Sequence, residues 1–226
     1  MDLITFGQYF DHALLKAHAT RTEFEEFCAE GIKYKVKMLA VNTAAVAFCK
    51  ERVEDTPVVI GAAVGFPLGQ VTLETKIFET NEAILKGAGE IDYVIDISAL
   101  KSGNRDAVTY EMQRITSTCR DKNVLVKVIF ENCYLTDDEK KLMCEISNKV
   151  RPDYIKTSTG FGISGATVYD VKLMRAYADT GIEVKASGGI KTLSDVNQLI
   201  EAGAKRIGTS NTAAIVNDFV QRKGAI

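Results

Sequence analysis

Metal-binding side chains are scarce in this sequence of 226 residues. It holds two histidines, His12 and His18, and five cysteines (Cys28, Cys49, Cys119, Cys133, Cys144) without a C-x-x-C spacing. Zinc and iron sites need clustered ligands of these types, so neither metal is expected, and the thiols read as reduced residues in or near a core. Charge of one sign is also missing. With 28 basic and 30 acidic residues the net charge is -2, which leaves no bulk field to attract nucleic acid or an acidic membrane. Any anion site must therefore be local. No Pro/Ser-rich gap, low-complexity tract or like-charge block divides the chain, and 46% apolar residues suffice for one sizeable core, so residues 1–226 are expected to form one domain. The opening Met1-Asp2-Leu3-Ile4-Thr5 lacks the basic and apolar regions of a secretory signal, which points to the cytoplasm. One uncharged stretch of 18 residues, Thr56 to Leu73, has the length of a membrane span, but Pro57, Pro67, Gly61, Gly65 and Gly69 break it. It reads as a buried strand followed by a loop.

Two stretches carry the chemistry. In Asp153-Tyr154-Ile155-Lys156-Thr157-Ser158-Thr159-Gly160 an apolar strand brings one lysine to a mouth of small hydroxyl residues. Desolvating an ammonium costs several kcal/mol, so a lysine placed there tends to shed its proton, and a neutral amine condenses with carbonyls. Val184-Lys185-Ala186-Ser187-Gly188-Gly189 repeats the design, with a serine and two glycines able to wrap an anion. Two such lysines on neighbouring strands each weaken the other's hold on a proton.

The rest of the chain alternates strands and helices. Strands are predicted at Tyr9 to Lys16, Met38 to Val41, Val58 to Gly65, Glu90 to Asp96, Val124 to Glu131, around Ile155, around Lys185, and at Arg206 to Gly208. The helices between them open on Thr20 with Glu23, Thr136 with Glu139, Thr167 with Asp170 and Thr192 with Asp195, four capping-box patterns. Others are expected from about Ala44 to Arg52, Leu73 to Lys86, Arg105 to Arg120 and Thr212 to Val220. Eight strands in strict alternation predict a single α/β domain, a (β/α)8 TIM barrel, in preference to a doubly wound sheet, for which a G-x-G-x-x-G after the first strand is lacking.

A barrel gathers the strand ends at one mouth, where Asp92, Lys127, Lys156 and Lys185 converge. Asp92 falls inside an apolar strand and has two readings, proton carrier or structural ion-pair partner. His12 likewise reads as a general base or as a hydrogen bonder beside Asp11. The loops after the seventh and eighth strands, Ser187-Gly188-Gly189 and Gly208-Thr209-Ser210, combine glycines and hydroxyls near helix N-termini, as a phosphate site requires.

These residues resemble the deoxyribose-phosphate aldolases, from Asp11-His12 to about Val216. The matching pieces include Val64-Gly65-Phe66-Pro67-Leu68-Gly69, Glu90-Ile91-Asp92, Leu125-Val126-Lys127-Val128-Ile129, Tyr154 to Phe161, Val184 to Gly189, and Arg206 to Ser210. The resemblance implies a class I, Schiff-base aldolase without cofactor that cleaves 2-deoxy-D-ribose 5-phosphate to D-glyceraldehyde 3-phosphate and acetaldehyde in deoxyribonucleoside catabolism. Lys156 matches the Schiff-base lysine, Lys185 the lysine that keeps its neighbour's pKa low, and Asp92 the carboxylate of a proton relay. Lys127, Gly160, Gly188, Gly189, Gly208 and Ser210 are expected to hold the substrate and its phosphate. Thr43, Gly89, Lys191 and Asn211 depart from residues often found in the family; Lys191 places a point charge where arginine offers a fork, which predicts looser phosphate orientation. The expected partners are a small phosphorylated sugar and short aldehydes, with no nucleic acid and no membrane. A homo-oligomer, dimer or tetramer, is compatible with the sequence, but no apolar helix stripe selects one. Two rival readings are a Schiff-base lyase for another phosphosugar and a barrel that only binds one.

Overall fold

The computed structural model describes residues 2–224. Eight parallel strands close into a barrel in sequence order: β1 (Phe10–Leu14), β2 (Met38–Asn42), β3 (Val59–Val64), β4 (Glu90–Val94), β5 (Leu125–Ile129), β6 (Tyr154–Lys156), β7 (Glu183–Ser187) and β8 (Ala204–Thr209). The predicted (β/α)8 barrel is the fold observed. The helices are α1 (Leu3–Gly7), α2 (Arg21–Lys33), α3 (Val46–Arg52), α4 (Leu73–Leu85), α5 (Ile97–Lys101), α6 (Arg105–Arg120), α7 (Asp137–Val150), α8 (Val168–Tyr177), α9 (Leu193–Glu201) and α10 (Thr212–Gly224). The five-residue α1 and α5 were not anticipated, being too short to show a period; each opens on an aspartate, Asp2 or Asp96, whose carboxylate accepts from a backbone N–H three residues on. No helix among the described residues is long and apolar enough to cross a membrane.

Burial explains why the strands read as nearly continuous apolar runs. Their outward residues, among them Leu39, Val41, Ile60, Ile91, Tyr93, Val126, Val128 and Ile155, join helix residues such as Val108, Met112, Ile115 and Met174 in one core between strands and helices. The inward residues differ. Parallel register sets Asp92 beside Lys127, Lys156 beside Lys185, and Lys185 beside Arg206, so neighbouring charged side chains point into the lumen together. Small residues on β2 and β3 make room for them. A Cβ on Gly61 would lie 2.2 Å from the Met38 sulfur, which itself accepts from Lys127 Nζ at 3.3 Å.

A second buried pair anchors the strand that carries Asp92. Lys76 Nζ donates to the Val94 carbonyl at 2.8 Å and to Glu111 Oε1 at 2.6 Å, and Glu111 Oε2 accepts from the Asp96 N–H at 2.9 Å. The C-terminal end of β4 is thereby tied to α4 and α6.

Three of the four predicted capping boxes are complete, at Thr20, Thr136 and Thr192. At Thr167 only half forms: its hydroxyl oxygen accepts from the Asp170 N–H at 3.0 Å, but the Asp170 carboxylate is taken by the Thr167 hydroxyl and by Lys140 at 2.7 Å. A basic neighbour on α7 outcompetes the backbone for that carboxylate. Thr192→Ala, which removes a complete box, is expected to lower the unfolding free energy by about 1 kcal/mol. Urea unfolding followed by circular dichroism checks this, as the chain has no tryptophan.

Candidate active site

The lumen holds three carboxylates, Asp11, Glu90 and Asp92, and four bases, Lys127, Lys156, Lys185 and Arg206, all nearly inaccessible to solvent. At its centre Asp92 Oδ1 accepts from Lys127 at 2.8 Å, while Oδ2 accepts from Lys156 at 2.8 Å and from Lys185 at 2.6 Å. Below it Lys127 also bonds Glu90, and Arg206 braces Glu90 and Asp11. Lys185 reaches Asp11 Oδ2 at 2.5 Å. Pairing on this scale is what lets charges be buried at all.

The pKa values follow from this arrangement. Burial alone would raise the Asp92 carboxyl, but Lys127, Lys156 and Lys185 hold it well below the usual range. Asp11 is lowered to about 2: burial opposes this, and Lys185 and Arg206 prevail. Lys156 moves the other way from a surface lysine, down to about 8. Burial is the main cause, Asp92 resists it, and Lys185 adds to it. Lys127 is raised, because Asp92, Glu90 and Asp11 together outweigh its burial.

Lys156 and Lys185 open onto a cavity of about 610 Å³ at the C-terminal ends of the strands. Of the residues singled out from sequence, Gly160, Gly188, Gly189, Gly208 and Ser210 line it, as do Lys16, Lys191 and Asn211. Gly188 and Gly189 are both left-handed, with φ of 84° and 75°, a backbone that side chains disfavour. A Cβ on Gly165 would fall 2.1 Å from the Gly188 carbonyl, so glycine is required where the loops after β6 and β7 touch. The Gly188–Gly189 turn borders the same cavity as Gly208 to Asn211, the residues that lead into α10.

One expectation changes, and one of two open readings gains support. Lys127, expected among the substrate-binding residues, is fully buried in the floor, does not line the cavity and is engaged by carboxylates, so it cannot reach a phosphate. A lysine in an apolar strand looks the same in sequence whether it sits at the mouth or one turn of the barrel layer below. His12 is a hydrogen bonder: its Nδ1 lies 2.9 Å from Thr212 Oγ1, its Nε2 3.3 Å from Glu30, and its ring stacks on Phe27. Burial pushes its pKa down to about 4, so at neutral pH the ring is uncharged and the Glu30 contact is a hydrogen bond that the ring nitrogen donates to the carboxylate. Sequence reasoning gave no role to Glu90, Arg206 or Asp11. The signal was present for Glu90, two residues from Asp92 and so on the same face of the strand.

Removing the floor cation tests the correction. Lys127→Met leaves three carboxylates short of one partner and is expected to lower the unfolding free energy by about 3–5 kcal/mol, measured in urea.

The comparisons with known proteins agree with this geometry. Residues 5–219 match the DeoC/LacD family aldolase profile. A deoxyribose-phosphate aldolase from Lactobacillus acidophilus is 49% identical over 91% of this chain and 86% of its own length. One from Bacteroides thetaiotaomicron is 47% identical over 94% of this chain and 90% of its own. Among solved structures, the tetrameric deoxyribose phosphate aldolase from Aeropyrum pernix superposes with a TM-score of 0.90 at 29% identity, over 96% of this chain and 92% of that one. With its barrel, its buried lysines and a profile match over nearly its whole length, the chain belongs to the DeoC/LacD family of aldolases.

Proposed function

We propose that the chain acts as one catalytic domain, a class I aldolase that reversibly cleaves 2-deoxy-D-ribose 5-phosphate to D-glyceraldehyde 3-phosphate and acetaldehyde in deoxyribonucleoside catabolism. The observation that carries this reading is the Lys156 amine, buried in the cavity lining with its pKa brought down to about 8 and sharing one oxygen of Asp92 with Lys185. The named activity of the relatives supports the choice of substrate.

In this mechanism neutral Lys156 adds to the C1 aldehyde of the open-chain sugar phosphate, and loss of water gives an iminium. The C3 hydroxyl then loses its proton and the C2–C3 bond breaks, its electron pair passing to the iminium nitrogen as an enamine. C3 leaves as the aldehyde of glyceraldehyde 3-phosphate. Protonation of the enamine at C2 and hydrolysis release acetaldehyde and restore Lys156. Each step needs a proton moved, and Asp92 lies within hydrogen-bond reach of both lysines, so the Lys156–Asp92–Lys185 chain can carry protons through the site. General acid–base help of this kind is worth typically about 10² to 10⁴ in rate. The phosphate is assigned to Gly160, Gly188, Gly189, Gly208 and Ser210, with Lys191 at its edge.

Incubation with acetaldehyde and borohydride is expected to add an ethyl group of about 28 Da at Lys156, and none in Lys156→Ala. Absence of the adduct from folded wild-type protein would falsify the Schiff-base reading. An adduct on Lys185 exchanges the two lysines' roles.

The trapping rate should rise with pH, pass half its maximum near pH 8 and level off about one pH unit higher, as Lys156 loses its proton. Two substitutions should move that limb in opposite directions. Asp92→Asn removes the group that favours the ammonium and shifts the limb to lower pH, while Lys185→Leu removes a repelling charge and shifts it higher. Shifts of the same sign would refute this account of the pKa.

A further inference from the structure

The two turns assigned to the phosphate follow different strands, so contacts outside the turns must fix their separation. Thr209 supplies one. Its hydroxyl donates to the Ile190 carbonyl at 2.7 Å and accepts from the Asn211 N–H at 3.0 Å, and the Asn211 side-chain amide donates to the same carbonyl at 3.4 Å. Ile190 follows Gly189 directly, so the turn after β8 is tied to the turn after β7.

The joined turns are moored to the barrel at a further point. Pairing of β8 with β1 ends where Thr209 meets His12, and Ser210 and Asn211 beyond it have no place in that ladder. Thr212, the first residue of α10, restores the attachment: its buried Oγ1 lies 2.9 Å from His12 Nδ1. The ring is itself held. It stacks on Phe27 with 4.5 Å between centroids, and its Nε2 meets Glu30 at 3.3 Å, both residues of α2.

The direction of these bonds follows from the state of the ring. Uncharged at neutral pH, it gives its one N–H to Glu30, so Nδ1 offers a lone pair and the Thr212 hydroxyl donates to it. The same hydroxyl lies 3.4 Å from the Thr209 carbonyl, the longer and weaker of its two acceptors. Both ring nitrogens are thereby engaged. His12 borders the cavity but keeps no nitrogen for a substrate, so its influence on the reaction passes through Thr212.

We propose that His12 is a positioning residue for the phosphate: through Thr212 it fixes the turn after β8, and through Thr209 and Ile190 the turn after β7 goes with it. The assignment rests on the aldolase reading above, which puts the phosphate at Gly188, Gly189, Gly208 and Ser210. A turn that must be ordered on binding costs affinity, and one already held does not. The Thr212 hydroxyl therefore matters for substrates that carry a phosphate and not for the chemistry at Lys156.

The test runs the reaction in the synthetic direction from acetaldehyde and compares D-glyceraldehyde 3-phosphate with D-glyceraldehyde, the same acceptor without its phosphate. Thr212→Val keeps the shape of the side chain and removes the hydroxyl. KM for the phosphorylated acceptor is expected to rise about tenfold at unchanged kcat, and inhibition by inorganic phosphate to weaken by the same factor. Thr212→Ser, which keeps the hydroxyl, should behave as the wild type. His12→Phe, whose ring can still stack on Phe27, should repeat the Thr212→Val loss, and the double variant should be no worse than the larger single one. Values for D-glyceraldehyde and borohydride trapping at Lys156 should not move in any of them. No loss in Thr212→Val, equal losses on both acceptors, or a loss in Thr212→Ser as large as in Thr212→Val would overturn the His12 assignment alone. A wild-type protein that traps acetaldehyde at Lys156 but neither prefers the phosphorylated acceptor nor is inhibited by inorganic phosphate overturns the phosphate placement and this assignment with it. Failure of the wild type to trap acetaldehyde overturns the aldolase reading as well.

Discussion

The structure depends on one carboxylate, Asp92, that three lysines share. Its two oxygens receive Lys127 from below and Lys156 and Lys185 at the mouth, all within hydrogen-bond distance. Without it three ammonium groups would face one another in a space closed to water, where repulsion is weakly screened. The barrel brings the charges together by register, and the carboxylate makes the meeting tolerable. Glu90, Asp11 and Arg206 extend the same pairing downward, so the lumen is filled by an ionic network where many barrels have layers of branched apolar residues.

Such a lumen contributes little to stability, since desolvation offsets much of the attraction between buried charges. The fold must be held by its other layer. The core between strands and helices is continuous around the barrel, and the helices are fastened at their starts by threonine caps. This separates the two demands on the sequence: outward strand positions serve folding, and inward ones are free for chemistry. The tie from Lys76 and Glu111 to the end of β4 links the layers, fixing from outside the strand that presents Asp92 inside.

This division explains what could be read from the sequence. Alternation of strand and helix, with capping boxes, was legible because local periodicity and local hydrogen bonds determine it, and Lys156, Lys185 and Asp92 stood out as charges in apolar runs. Depth along the lumen was not legible. Lys127 and Lys156 look alike in sequence, yet one lies in the floor and the other at the mouth, because depth is set by the stagger between strands distant in the chain. The tie from His12 to Thr212 was hidden for another reason. The two residues stand 200 positions apart, and neither the bond between them nor the ring's stacking on Phe27 leaves a local trace.

The same network decides which lysine gives up its proton most readily. Lys127 meets Asp92, Glu90 and, at 3.8 Å, Asp11; Lys185 meets Asp92 and Asp11; Lys156 meets Asp92 alone, at an oxygen it shares. Three carboxylates against four bases leave one positive charge in excess if every group is ionised, and burial makes that excess costly. The proton released should come from the base with the least anionic support. That base is Lys156, whose pKa falls while that of Lys127 rises. Its loss of a proton leaves the network neutral, and its place in the cavity lining puts the free amine where a carbonyl can reach it.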